Sequence, residues 1–347
     1  MLQKNIRDFS PSQLDEFIES SGEKSYRSKQ IAQWLYKKGV KSYKEMSNLP
    51  VDFRERLQND IEINDSISLL EEKVSIDGTK KYLFSLSDGN KIESVLIPDK
   101  KRKTLCVSSQ VGCALGCKFC LTATLNKIRN LKTSEIIDQY LIVNSLNSNG
   151  ITNIVFMGMG EPLDNLDNLI NSIEILTDEN FIGLSKKRIT VSTSGLVPKI
   201  KELGERLTVN LSISLNAPND EIRNEIMPIN RRYPIKTLID SIKSFPLPNR
   251  KLITFEYVLI KDINDSELHA QQLGQLLKNI RCKVNLIPLN EADPIKYKTP
   301  KTEDVYNFQD ILINYGLNVK IRKNRGRDIL SACGQLAADY SSNKITH

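Results

Sequence analysis

Histidine is nearly missing from this 347-residue chain: only His269 and His347 occur. So few imidazoles make a His-rich zinc site or a Ser-His-Asp triad hard to build. Long apolar runs are missing too. None approaches the roughly 18 residues that a membrane helix needs. The first residues, Met1-Leu2-Gln3-Lys4-Asn5-Ile6-Arg7-Asp8, lack the apolar centre of a secretion signal, so a cytoplasmic protein is expected. No low-complexity stretch or internal repeat is visible. Six cysteines in a cytoplasmic chain do not suggest a disulfide framework. What remains is ordinary for a globular protein, with 39% hydrophobic and 26% charged residues. The length suits one large domain, or a large one with a small companion.

Net charge is +7 and the isoelectric point is near 8.9. This suits an anionic partner such as RNA, although an excess of that size is common. Lys100, Lys101, Arg102 and Lys103 form one basic cluster. Lys320, Arg322, Lys323, Arg325 and Arg327 form a second. Each reads either as a solvated face or as a contact for an RNA backbone.

The chain opens with helical patterns over residues 11–60. Ser12 is the expected cap of the first, and Ile31, Trp34 and Leu35 repeat at helical spacing in the next. The period then changes. Residues 80–86 and 92–97 read as strands of a β-hairpin around Ser87-Asp88-Gly89-Asn90. These features predict a small N-terminal helical region with a β-hairpin extension, residues 1–95, followed by a basic linker. From residue 104 strands alternate with helices. Strands are predicted at 104–108, 153–157, 188–192, 209–215, 253–259, 283–288 and 318–322. Helices are predicted at 134–146, 166–177, 197–203, 235–244, 266–277 and 303–315. Such alternation predicts an α/β core with a parallel sheet over residues 96–337, leaving 338–347 as a flexible tail. Six βα units fit a partial (β/α)6 barrel or a doubly wound sheet. Both place ligands at the C-terminal strand ends.

At the first such end stands "GCALGCKFCLTA", with Cys113, Cys117 and Cys120 spaced C-x3-C-x2-C. A closed zinc site needs four ligands, and no nearby cysteine or histidine supplies the fourth. A [4Fe–4S] cluster is usually held by four cysteines, so three leave one iron open to a small molecule. Cys106 precedes this loop, and Cys333 stands in "RGRDILSACGQL". Cys282 begins a strand. Each of these three also reads as a small buried apolar residue, and for Cys282 that is the preferred reading. Strand ends at "FMGMGEP", "STSG" and "SISLNAP" carry glycines and hydroxyls that suit either βα turns or a ligand.

The C-x3-C-x2-C loop after the first strand resembles the radical S-adenosylmethionine (SAM) superfamily. The longer set "SSQVGCALGCKFC", "RNL", "SEI", "FMGMGEP", "STSG", "APND", "MPIN", "EYV", "VNLIPLN" and "ACGQL" resembles the ribosomal RNA adenine C2-methyltransferases, some of which also act on transfer RNA. The resemblance runs from the N-terminal helices to Leu336. It implies a cluster on Cys113, Cys117 and Cys120, with SAM chelating the open iron. It further implies SAM contacts at Gly160, Glu161, Ser192, Ser214, Leu215, Asn216 and Asn290, and two SAM molecules per turnover. One methylates Cys333; the radical from the other removes hydrogen from that S-methyl group, which adds to C2 of the adenine. Cys106 is implied to resolve the adduct through a transient disulfide with Cys333, and the C2 proton goes either to Cys106 or to Glu93, which matches the family's acidic proton acceptor. The implied partners are ribosomal RNA and transfer RNA, an external electron donor such as flavodoxin, and a thiol reductant.

Gly326 and Gly334 bracket Cys333, which suggests a mobile segment. Two positions depart from the family pattern: Asn216 stands where histidine is usual, and Asn126 where glycine is frequent. Asn tolerates a left-handed backbone, so the second change leaves the loop viable. Methylation at C8 by relatives with the same cysteines is an alternative, although Pro162 after Gly160-Glu161 resembles the C2 enzymes. A non-catalytic iron–sulfur or zinc RNA-binding protein is the alternative of a different class.

Overall fold

The computed structural model describes residues 5–148 and 150–336. The tail expected at 338–347 lies outside the described residues. Three helices come first: α1 (Pro11–Ser20), α2 (Tyr26–Ala32), continued by a π-helical turn (Gln33–Lys37), and α3 (Val51–Asp60). Ser10, not Ser12, caps α1. Its hydroxyl accepts from Gln13 N at 3.3 Å while Gln13 Oε1 accepts from Ser10 N at 3.0 Å. Pro11 then occupies the first helical position, where a missing N–H costs nothing.

A ten-stranded sheet follows. Strands β1 (Ile67–Val74), β2 (Lys80–Leu86), β3 (Lys91–Asp99) and β4 (Arg102–Cys106) pair antiparallel in sequence order. The residues expected to form a basic linker are therefore a tight hairpin between β3 and β4. Lys100 takes φ 52°, and Asp99 pairs with Arg102 at 2.9 Å. The sheet runs unbroken through residue 95. Two short strands, β5 (Gln110–Val111) and β6 (Arg129–Asn130), pair separately and pin the two ends of the cysteine loop.

Within the ten-stranded sheet, every pairing from β4 onward is parallel. In order come β7 (Asn153–Phe156), β8 (Ile189–Thr193), β9 (Asn210–Ser214), β10 (Ile253–Leu259), β11 (Cys282–Pro288) and β12 (Asn318–Ile321). The crossovers are α4 (Thr133–Ser145), α5 (Leu166–Thr177), α6 (Val197–Arg206), the pair α7 (Asp220–Ile226) and α8 (Ile235–Ile242), α9 (Glu267–Leu277) and α10 (Thr302–Asn314). Strand order never reverses, whereas a doubly wound sheet reverses at its switch point. The winding is that of a partial barrel with six crossovers.

One continuous apolar core joins the helical region to the sheet, from Ile18, Leu35 and Phe53 to Phe156, Leu211 and Phe255, all fully buried. A buried ion pair reinforces the junction. Arg7 Nη1 donates to Asp138 on α4 at 2.9 Å and to Asp65 at 3.0 Å, and Asp8 accepts from Ser134 N at the start of the same helix.

Candidate active site

The cysteine loop hangs between β5 and β6 and is held from two sides. Lys118 N donates to Ile226 O on α7 at 3.0 Å. Leu121 N donates to Gly334 O at 2.8 Å, and Thr122 Oγ1 to Leu336 O at 2.6 Å, so the segment after Cys333 braces the loop. Burial pushes the Cys113 thiol up to about 12 and raises Cys117 and Cys120 as well. The thiols reinforce the effect: Cys120 raises Cys113, and both raise Cys117. Among the described residues no three His, Cys, Asp or Glu side chains are drawn together as a closed metal-ligand set. Cys117 and Cys120 line a cavity, and Cys113 lies outside its lining.

That cavity encloses about 860 Å³ at the C-terminal ends of the parallel strands. Gly160, Glu161, Ser192, Ser214, Asn216 and Asn290 all line it. Gly160 takes φ +99°, and a Cβ there would stand 2.5 Å from the Gln110 side chain, so only glycine fits. Glu161 is buried, and its carboxylate accepts from Ser194 N at 2.8 Å and Leu163 N at 3.2 Å. Burial nevertheless pushes its pKa up to about 7. Leu215 does not line the cavity; its side chain is in the core and its carbonyl accepts from Arg223 Nε at 3.0 Å.

Asn216 sits at φ +58°. Its Oδ1 accepts from Val258 N at 2.9 Å, and its own carbonyl accepts from Asn264 Nδ2 at 2.7 Å. The carboxamide thus ties β9 to β10, a role that needs no imidazole. Asn126 takes φ 53° and ψ 161°, outside the left-handed helical region that was expected of it and in backbone space that glycine fills without strain. Asn290 Nδ2 lies 3.5 Å from Cys333 O, while its buried Oδ1 has no partner among the described residues. A buried acceptor without a donor is costly unless a ligand provides one. This orphaned oxygen, together with three soft thiols on one loop, fits a nucleoside-bearing ligand such as SAM beside an iron–sulfur cluster.

A second cavity of about 810 Å³ adjoins the first. Cys106 lines it, and Cys333 lines both. Cys333 is exposed and Cys106 buried; both are free thiols. Burial first, then the neighbouring Cys333, pushes Cys106 up to about 12. Cys282 is a buried thiol on β11, pushed up to about 11 by burial alone, as expected of an apolar filler. Glu93 is buried rather than exposed. It pairs with Lys81 Nζ at 2.9 Å and shares a face of β3 with Val95, the partner of Cys106 across the sheet.

Three functional-looking residues were hidden in the sequence. Arg322 reads as part of a surface cluster, yet it lines both cavities and pairs with buried Glu256 on β10 at 3.5 Å. Its pKa is raised, mainly by Cys333. Glu256 in turn accepts from Ser212 and Asn285. Arg223 on α7 is fully buried and donates to the carbonyls of Ser194, Ser214 and Leu215 and to Asn230. Nothing in its local pattern separates it from a surface arginine of a short amphipathic helix.

Residues 107–271 match the radical SAM superfamily, and residues 4–63 match the ribosomal RNA large subunit methyltransferase N-terminal domain. A dual-specificity RNA methyltransferase RlmN from Geotalea uraniireducens is 48% identical over 97% of each chain. The chain belongs to the RlmN family. Another member, from Syntrophobacter fumaroxidans, is 48% identical over 96% of this chain and 98% of its own. The crystal structure of a radical SAM methyltransferase from Sphaerobacter thermophilus superposes with a TM-score of 0.89 at 39% identity, covering 97% of this chain and all of that one. Radical SAM membership implies SAM and a [4Fe–4S] cluster as cofactors. No described helix is long and apolar enough to cross a membrane.

Proposed function

We propose that this chain methylates C2 of adenine in ribosomal RNA and in transfer RNA, with Cys333 carrying the methyl group. The observation behind this reading is the position of Cys333 on the wall common to both cavities. One thiol can thus meet SAM on one side and a flipped base near Cys106 on the other. When bound to Cys113, Cys117 and Cys120, a [4Fe–4S] cluster supplies the electron that makes a radical from SAM.

The remaining chemistry belongs to the side chains. Cys333 takes a methyl group from a first SAM by displacement and releases its proton. Gly160, Glu161, Ser192, Ser214, Leu215, Asn216 and Asn290 hold the second SAM, Leu215 through its backbone. Glu93 takes the C2 proton of the adduct. One electron leaves the adduct radical for the external redox partner; Cys106, kept protonated by burial until then, gives up its proton and attacks the Cys333 sulfur, the S–CH2 bond breaks, and the freed methylene carbon takes a proton from solvent to become the methyl group. The resulting disulfide is reduced by an external thiol before the next turnover. The electron comes from an external donor such as flavodoxin. Residues up to about 95 act as the RNA-binding accessory region of a cytoplasmic enzyme, and those from 96 on as the catalytic core.

The test is turnover of unmodified RNA by the reduced holoenzyme with SAM bearing a trideuterated methyl group. 2-Methyladenosine retaining two of the three deuteriums is expected. Retention of all three would mean direct transfer and no role for Cys333. 8-Methyladenosine would reassign the target carbon.

A further inference from the structure

The segment that carries Cys333 is not braced by the barrel alone. It leaves β12 and crosses to the turn between β1 and β2, residues 75–79, in the accessory region. Hydrogen bonds there run both ways. From the loop, Asp328 accepts from Ser75 Oγ at 2.5 Å and from Ile76 N at 3.1 Å. From the turn, Asp77 accepts from Gly326 N at 3.1 Å, with Arg325 at 3.9 Å from the same carboxylate. Further along β2, Lys81 Nζ reaches Leu330 O at 3.3 Å while pairing with Glu93 at 2.9 Å. Its side chain is only 12% exposed. Lys81 therefore touches the proposed proton acceptor and a carbonyl three residues from Cys333.

The loop itself is built to be held from outside. Gly326 and Leu330 both take left-handed backbone, at φ 63° and 50°. For leucine that conformation is unfavourable; Ser331, donating from N at 2.9 Å and from Oγ at 3.0 Å to Gly326 O, shares with the hairpin contacts in sustaining it. Ile76, at the tip of the turn, is 98% exposed and contributes no apolar packing. Polar interactions are what join the two segments, and hydrogen bonds to carboxylates are the stronger kind. Both Asp77 and Asp328 have lowered pKa values despite the opposing effect of desolvation, as expected of carboxylates accepting several hydrogen bonds.

We propose that the β1–β2 hairpin is a receiver for the Cys333 loop: Ser75, Asp77 and Lys81 are positioning residues that hold Cys333 at the boundary of the two cavities and in register with Glu93. This rests on the role of Cys333 proposed above. Without the receiver, the methyl group on Cys333 samples positions away from the radical and the base. SAM cleavage continues, but it is no longer tied to methylation of RNA.

The test compares Asp328→Asn, Ser75→Ala and Lys81→Met in the full-length holoenzyme, with Ile76→Ser as a control at the same turn. Hydrogen exchange of the peptide spanning residues 325–333 is expected to rise about tenfold in Asp328→Asn, the factor matching loss of one charge-assisted hydrogen bond. Exchange across β8 stays unchanged. The ratio of 5′-deoxyadenosine to methyladenosine is expected to rise several-fold in the three variants and not in Ile76→Ser. A merely structural role would lower both products together and leave their ratio alone. Unchanged loop exchange in Asp328→Asn and Ser75→Ala overturns the receiver, as does faster exchange with an unchanged product ratio. Ser75→Ala removes a single hydroxyl and keeps the test open if Asp328→Asn fails to fold. An unmethylated Cys333 in the wild-type protein, read by intact mass, would sink the carrier reading; the exchange comparison would still decide whether the hairpin holds the loop.

Discussion

At the scale of single residues, the site depends on buried polar side chains whose partners are mostly backbone. Arg223 spans three carbonyls from two strand ends. An ammonium cannot reproduce that planar fork. Arg223→Lys should weaken SAM binding by about tenfold, as one or two carbonyls lose their donors, while iron content stays unchanged. Equilibrium dialysis and iron analysis check the two halves. Glu161 gives a pH signature. Its pKa is raised from 4.5 to about 7 in the fold. A carboxyl with a raised folded pKa contributes stability below its unfolded pKa, and that contribution is lost as pH rises through about 7. Glu161→Gln should therefore flatten the decline in melting temperature of the apoprotein between about pH 5 and pH 7.5. Asn216→Ala should destabilise by about 2–3 kcal/mol, from an unpaired Val258 N–H and a strained left-handed alanine. Thermal unfolding of the same apoprotein reads that loss.

At the scale of elements, legibility followed periodicity. Residues 253–259 and 166–177 appear with the expected bounds because their apolar pattern is strong and their ends are well marked. Strand β1 left no such signal: only Ile67 of its eight residues is buried, Glu71, Glu72 and Lys73 crowd it, and a bulge breaks its register after Leu69. The cysteine loop and the strand-end turns were legible as motifs, since glycine and cysteine spacing survive in one dimension. Arg322 and Lys81 were not. Their roles come from what lies across the sheet or across a cavity, and local composition files both under solvated lysines and arginines. The junction of α4 with the N-terminal region makes a separate prediction. Arg7→Met strands Asp138 without its buried cation and should cost about 3–5 kcal/mol. A lowered melting temperature would register it, with Asp138→Asn in the Arg7→Met background restoring part of the loss.

At the scale of the whole molecule, one sheet runs from the β1–β2 hairpin through the barrel strands to β12. The excess of +7 charges is spread unevenly. Lys100 and Lys101 project at the turn between β3 and β4, exposed, while Arg322 is spent inside. Reversal of Lys101 and Arg102 to glutamate should weaken RNA binding and flatten its salt dependence, by about 0.7–0.9 in slope for each phosphate that is no longer neutralised. Filter binding across a salt series measures it, and an unchanged slope would remove this turn from the RNA footprint.

The cysteine loop donates from Leu121 N and Thr122 Oγ1 to the carbonyls of Gly334 and Leu336, more than 200 residues later in the chain. A protein made from its N-terminus has the three thiols out and the barrel strands available before those bonds exist. Until the final segment docks, the loop is open on that side. Leu121 N and Thr122 Oγ1 therefore gain those acceptors only after the strands on which the loop is hung are in place.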